Sequence, residues 1–223
     1  MPFQRHNRNT APSHQHGLSL VVVLMLLVII SMLGVASMQI SMMGERGARN
    51  DRDMQLAWQG AEAALVDAEI DLSGPNSAST SRTALIAANP VVPDSGCSTS
   101  ANWRGFCSPV TFGQAKPSWL LVNFLDTSNL TAPTVAFGTF TGRSFANAGQ
   151  ASGTGIQAAL APRYIIEDVT TSGAGGGSVV GSTYRSAGAA GTRASTDRLY
   201  RVTAMGFGPR SDIQAALQTI YRN

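Results

Sequence analysis

Apolar residues follow three different patterns along the chain. From Leu18 to Ala36 the sequence LSLVVVLMLLVIISMLGVA carries no charge, and no charged residue appears until Glu45. As a helix, Leu18 to about Ser41 spans roughly 36 Å, enough to cross a hydrocarbon core of about 30 Å. Ser19, Ser31 and Ser37 fit such a helix, because a helical serine can bond to a carbonyl one turn earlier. Leu18, Val22, Leu24, Leu27, Ile30 and Leu33 are the residues this reading assigns to membrane and helix packing.

The second pattern is amphipathic. In GERGARNDRDMQLAWQGAEAALVDAEIDL, apolar or small residues recur at Met54, Ala57/Trp58, Ala61, Leu65, Ala68 and Leu72. Steps of three and four make one helical face. Trp58 and Leu65 are expected to pack that face on the rest of the protein, with Glu62, Asp67, Glu69 and Asp71 mostly on the other sides. Ser73-Gly74-Pro75 is a strong stop. One helix is therefore predicted from about Leu18 to about Leu72, roughly 55 residues or about 80 Å. Gly34, Gly44, Gly47 and Gly60 each cost it about 1 kcal/mol relative to alanine, so bending or melting is expected near residues 44–47.

After Pro75 the pattern shortens and the chain turns to Ser, Thr, Ala, Gly and Pro. Short helices are predicted over Thr80–Ala88 and Ser118–Asp126, the second facing a core with Trp119, Leu120, Phe124 and Leu125. Strands are predicted at about Tyr164–Val169, Leu199–Ala204 and Ile213–Tyr221. The first two are rich in β-branched and aromatic residues, while the third reads as strand or helix. An antiparallel sheet packed on the amphipathic helix makes an α+β fold. The Gly-rich stretch Thr171–Arg193 has no GK[ST] ending and no following helix, so it reads as a surface loop and not as a phosphate cradle. Gly138–Gly155 reads the same way.

Composition narrows the chemistry. All three histidines, His6, His14 and His16, precede residue 17. The body of the protein therefore has no imidazole for a general base, a triad or a metal ligand. Two cysteines cannot hold a four-thiolate zinc, and no cofactor is expected. Cys97 and Cys107 enclose nine residues, and in an oxidising compartment they are expected to form a disulfide. Trp103 and Phe106, inside that loop, are expected to pack against the domain. The formal charge of +3 depends on Arg5 and Arg8: beyond residue 17 the chain has 14 basic and 13 acidic residues. With one lysine, Lys116, and scattered arginines, nothing clusters for nucleic acid. Lys116 also lacks the Ser-x-x-Lys spacing of Ser/Lys catalysis, which weakens a membrane-anchored enzyme or binding protein as a reading.

Three readings fit residues 1–36: a cleaved secretory signal, a permanent anchor, or a prepilin leader followed by a retained helix. The positive flank predicts the N-terminus inside and the bulk of the chain outside. The apolar run exceeds the 7–15 residues of an ordinary signal, although Gly34-Val35-Ala36 is a passable cleavage site. Gly17 stands immediately before the run, where a prepilin leader ends.

These residues resemble a family. Glu45, Arg46, Asn50, Asp51, Arg52, Ala57, Trp58, Gln59, Ala61, Glu62, Ala63, Ala64 and Leu65 match the pattern that follows the membrane helix in PilX-type minor pilins of type IV pili. Pro162–Glu167, Tyr200–Ala204 with Gly206 and Gly208, and Leu217–Tyr221 are similar to the family's C-terminal region. The resemblance implies a pilin-like fold and a role in pilus assembly and priming, without enzymatic activity. It also implies a leader over residues 1–17, a membrane or filament-core helix over 18–41, its amphipathic continuation over 42–73 and a periplasmic head over 74–223. Cleavage after Gly17 and methylation of Leu18 are implied by a prepilin peptidase and N-methyltransferase. The other implied partners are the inner membrane, other minor pilins, the major pilin and a PilY-type tip adhesin. The minor pseudopilin of a type II secretion system is the alternative. Three departures stand out: Leu18 where Phe or Met is commoner, His16 where Lys or Arg usually precedes the glycine, and Val22 where most pilins carry glutamate. The corresponding carboxylate offsets a neighbour's N-terminal ammonium in the bilayer, and its absence suits a subunit at the filament tip.

Overall fold

A computed structural model describes residues 18–88, 93, 96–108, 116–128, 131–145, 155–169 and 198–222. Gly17 and the rest of the leader, residues 146–154 of the Gly-rich stretch 138–155, and all of Thr171–Arg193 lie outside the described residues. Two compact units divide the chain, Met1–Asn50 and Asp51–Asn223.

Helix α1, Leu18–Ser73, contributes to both units. It is helical throughout, including Gly44 and Gly47, so the expected local melting does not occur there. It ends at Gly74, which is in the left-handed region at φ +74° and whose N–H donates to the Ile70 carbonyl at 2.9 Å. A glycine with positive φ followed by proline is an efficient helix stop.

In the first unit α1 has no packing partner among the described residues: the large apolar residues from Leu20 to Met43 are exposed on every side. Ser31 and Ser37 donate their hydroxyls to the carbonyls of Leu27 and Leu33, at 2.7 and 2.9 Å. These two hydroxyls are thus satisfied within a helix whose surface is mostly hydrocarbon, as a lipid environment requires. It is the described helix that is long and apolar enough to cross a membrane.

The second unit is a two-layered head. Helix α2 is Thr83–Ala88 and helix α3 Ser118–Leu121; the strands are β1 Phe106–Cys107, β2 Val135–Ala136, β3 Arg163–Asp168, β4 Leu199–Phe207 and β5 Gln214–Arg222. The sheet order is β1-β3-β4-β5, with β2 also pairing β3. β3, β4 and β5 are antiparallel, whereas β1 joins β3 in parallel. All three long strands fall within a residue or a few of their predicted limits, and Gln214–Arg222 is strand. α2 begins later than predicted. α3 is shorter, because Val122 is extended and the Asn123 side chain accepts the Leu125 N–H at 3.0 Å, closing a turn that competes with helix. That turn leaves Leu120 and Leu125 exposed, contrary to their predicted core positions, while Phe124 is buried and Trp119 partly so.

Register assigns the two faces of the sheet. Phe106, Tyr164, Ile166, Tyr200, Val202 and Ala204 join Ala64, Ala68, Leu72 and Ile86 in one cluster. The opposite face gathers Cys107, Ile165 and Phe207 with Phe124, flanked by Trp119, Val122, Leu160 and Met205. Cys97 and Cys107 form a disulfide in this layer. Phe106 is fully buried, and Trp103 packs edge-on to it at 5.7 Å between ring centroids.

Candidate functional site

No group of metal-ligating side chains occurs among the described residues. What the sequence concentrates instead is helix α1, whose two parts present two different faces.

In the head, the face of α1 turned to the sheet is built from small residues. Ala57, Gly60, Ala61, Ala64 and Ala68 are buried. The reason is proximity: a Cβ on Gly206 of β4 would overlap the Ala57 carbonyl oxygen and the Ala61 nitrogen. Backbone meets backbone there, so only glycine on the strand and alanine or glycine on the helix fit. This closeness corrects the expectation for Trp58. One residue round from Ala57, it is 49% exposed and donates its indole N–H to Glu62 at 2.8 Å. Met54 is likewise exposed. Leu65 is half-buried against the main cluster.

The second correction concerns the carboxylates. Asp67 and Asp71 lie inside, both fully buried, on the same arc as Ala64 and Ala68. Asp71 receives Arg82 through Nε at 3.0 Å and Nη2 at 2.6 Å, and the Tyr164 hydroxyl at 2.8 Å. Arg82, itself buried, donates Nη1 to the carbonyls of Asn102 and Arg104 and stacks 3.7 Å from the centroid of Phe140. Burial and the Asp71 carboxylate raise the Tyr164 hydroxyl well above its ordinary pKa, so it stays a donor. Asp67 accepts the Thr141 hydroxyl at 2.5 Å and the Gly138 N–H at 2.8 Å, with Arg143 at 3.8 Å. Gly138 holds φ +81°, a conformation that aims its N–H at the carboxylate at no steric cost. Burial pushes the Asp67 carboxyl above its ordinary value despite those contacts.

Two further buried charges brace β3. Arg163 donates to the Thr134 hydroxyl and carbonyl at 2.5 and 3.0 Å, and its burial lowers its pKa. Glu167 accepts Arg201 Nε at 2.6 Å. The helix end, the loop after it and β3 are thus tied by polar contacts that a slipped register would leave unpaired.

In the first unit, Val22, Leu24, Leu27, Ile30 and Leu33 are each more than half exposed among the described residues. Leu18 begins the helix.

Sequence comparison places both parts of the molecule. The family described as type IV pilus assembly protein PilX, C-terminal part, matches residues 47–223, and PilX N-terminal matches residues 16–66. The chain belongs to the PilX family. It is therefore a minor pilin of type IV pilus assembly, a structural component that works with other pilus proteins, and its apolar N-terminal helix is consistent with membrane anchoring. No curated protein and no solved structure matches it.

Proposed function

We propose that this minor pilin is made as a precursor, cleaved after Gly17 by prepilin peptidase and methylated on the new N-terminal Leu18. Residues 18–41 then hold it in the inner membrane and later pack in the filament core. Residues 42–73 carry the helix onward, and 74–223 form a head on the periplasmic side. In this reading the chain joins other minor pilins and the major pilin in a priming complex at the pilus tip, with a PilY-type adhesin as a further partner.

The observation that carries the reading is α1. A pilin must serve first a lipid bilayer and then a bundle of other helices, and both require large apolar side chains facing outward with backbone and hydroxyls satisfied internally. Leu20 to Met43 present such side chains outward, and the Ser31 and Ser37 hydroxyls bond to the helix's own carbonyls. Val22 supports the tip position: without a carboxylate there, one contact with an adjacent subunit's N-terminal ammonium is missing, and a terminal subunit tolerates the loss.

Quantifying the chain in sheared filaments tests this. A tip subunit is expected at a few copies per filament, and its deletion is expected to reduce surface pili. An abundance approaching that of the major pilin, or normal piliation after deletion, would contradict the tip and priming roles.

A further inference from the structure

Residues 96–108 form a hairpin that carries its own hydrogen bonds. The Ser98 N–H donates to the Phe106 carbonyl at 2.7 Å, the Gly105 N–H to Ser98 at 3.1 Å and the Ser108 N–H to Gly96 at 2.8 Å. At the tip, the Trp103 N–H donates to the Ser100 carbonyl and the Phe106 N–H to that of Trp103. Cys97 and Cys107 stand opposite each other in this ladder as an antiparallel bridge. All of these contacts lie within the hairpin, and only nine residues separate the two cysteines. The sulfurs can therefore meet before the rest of the head has folded. The finished head holds the hairpin from several directions. β3 donates the Ile166 N–H to the Gly105 carbonyl at 2.7 Å. Arg82 donates Nη1 to the carbonyls of Asn102 and Arg104 at 3.1 and 2.7 Å. Phe106 enters the helix-side cluster, and Cys107 enters the opposite layer with Ile165, Phe207 and Phe124.

Docking changes what the sulfurs can do. Thiol exchange needs an attacking thiolate and a second thiolate that leaves. Cys97 is partly exposed, whereas Cys107 is fully buried. Attack at Cys97 would release a Cys107 thiolate into an apolar layer. Its register neighbour on β3 is Glu167, also fully buried, whose Oε1 has no hydrogen-bond partner among the described residues. Burial and an adjacent carboxylate both disfavour a thiolate. A reduced Cys107 inside a closed head would be a poor nucleophile for the same reasons. We propose that the hairpin is oxidised before β1 docks on β3, and that docking then withdraws the bond from thiol exchange. The oxidant is a disulfide donor. One hairpin thiolate opens the donor's disulfide to give a mixed disulfide, and the second thiolate then displaces the donor. The donor leaves as a dithiol, carrying the two electrons and the two thiol protons. This order of events does not depend on the pilus reading above, which supplies only the compartment.

The test uses the full-length chain in detergent and counts free thiols by alkylation. Dithiothreitol is expected to open the bond at least about a hundred-fold more slowly in the native chain than in the chain unfolded in urea, because the hairpin must first undock. Arg82→Ala removes an anchor on the receiving side without touching the hairpin. It is expected to speed that reduction at least about ten-fold through the two carbonyl contacts and the buried pair it removes. Closure is then read by diluting the reduced, urea-unfolded chain into detergent with oxidised glutathione. Arg82→Ala is expected to close the bond at least as fast as wild type, since closure belongs to the hairpin alone. Both expectations hold whether or not that variant folds. A smaller protection of the native bond, or a reduction rate that ignores Arg82→Ala, overturns the withdrawal from exchange. An Arg82→Ala chain that stays reduced, or closes more slowly than wild type, overturns the order of events.

Discussion

The two parts of α1 handle the same problem in opposite ways. Between Leu20 and Met43 the large apolar side chains face outward, with no partner among the described residues. Between Asp51 and Ser73 the inward face is mostly alanine and glycine, with two aspartates and, near its end, Leu72, and the one tryptophan faces out. Bulk therefore marks what the helix gives to its surroundings, and smallness marks what it gives to its own sheet. Where the helix meets Gly206, closeness replaces side-chain volume, and the specificity lost with large side chains is supplied by the carboxylates of Asp67 and Asp71.

The contrast breaks most sharply at its tightest point. Gly206→Val must push strand and helix backbone apart, and is expected to cost about 3 kcal/mol or more. In urea unfolding of the full chain in detergent, a loss under about 1 kcal/mol would mean that the close approach is absent. Asp71→Ala leaves the Arg82 guanidinium buried without its carboxylate, at a cost of about 3–5 kcal/mol. Tyr164→Phe removes one hydrogen bond to that carboxylate, about 1–3 kcal/mol. If Asp71→Ala proves as mild as an exposed substitution, the buried pair is not formed.

Replacing both Cys97 and Cys107 by serine is expected to cost about 2–3 kcal/mol, the loop-closure value for so short a loop, read in the same unfolding experiment against the oxidised chain.

Asp67 gives the pH test. Its carboxyl is raised above the ordinary 3.8 chiefly by burial, partly offset by Thr141, Gly138 and Arg143, with Asp71 adding to the rise. A raised folded-state pKa means that ionisation opposes folding. The cost is absent below the ordinary value, grows as pH rises from there to the raised value, and is full above it. Asp67→Asn keeps an acceptor but cannot ionise, so its stability relative to wild type is expected to improve as pH rises from about 4 to about 7. The gain is about 1.4 kcal/mol for each tenfold by which folding tightens the carboxyl's hold on its proton. A difference constant with pH would show that Asp67 is not desolvated.

Trp58→Ala sits at the small end. Half exposed, Trp58 is expected to change head stability by no more than about 0.5 kcal/mol. A loss of about 2 kcal/mol, the scale of a buried side chain, would restore it to the packing face and undo the contrast.

Periodicity makes the long helix and the three long strands legible, because each repeats its pattern over many residues. β1 and β2 are not legible: two residues carry no period, and their pairing is decided by β3. The misplacement of Asp67 and Asp71 has a physical cause. A carboxylate reads as solvent-facing unless its partner is known, and the partners of Asp71 stand 11 residues on, beyond the helix end, at Arg82 and 93 residues on at Tyr164. Their spacing does hold the signal, since Asp67 and Asp71 fall on the arc of Ala57, Ala61, Ala64 and Ala68. Trp58 misleads for the converse reason: hydrophobicity suggests burial, but the small neighbours at 57, 60, 61 and 64 already describe a face too close for an indole. The disulfide is legible because only nine residues separate Cys97 from Cys107.

The central claim is that α1 is a pilin helix retained whole after its leader is removed. Mass spectrometry of the N-terminal peptide from membrane-extracted protein tests it most directly. The account predicts a chain beginning at Leu18 with one methyl group on its amine. A chain beginning near Ser37, with the apolar helix gone, would contradict it.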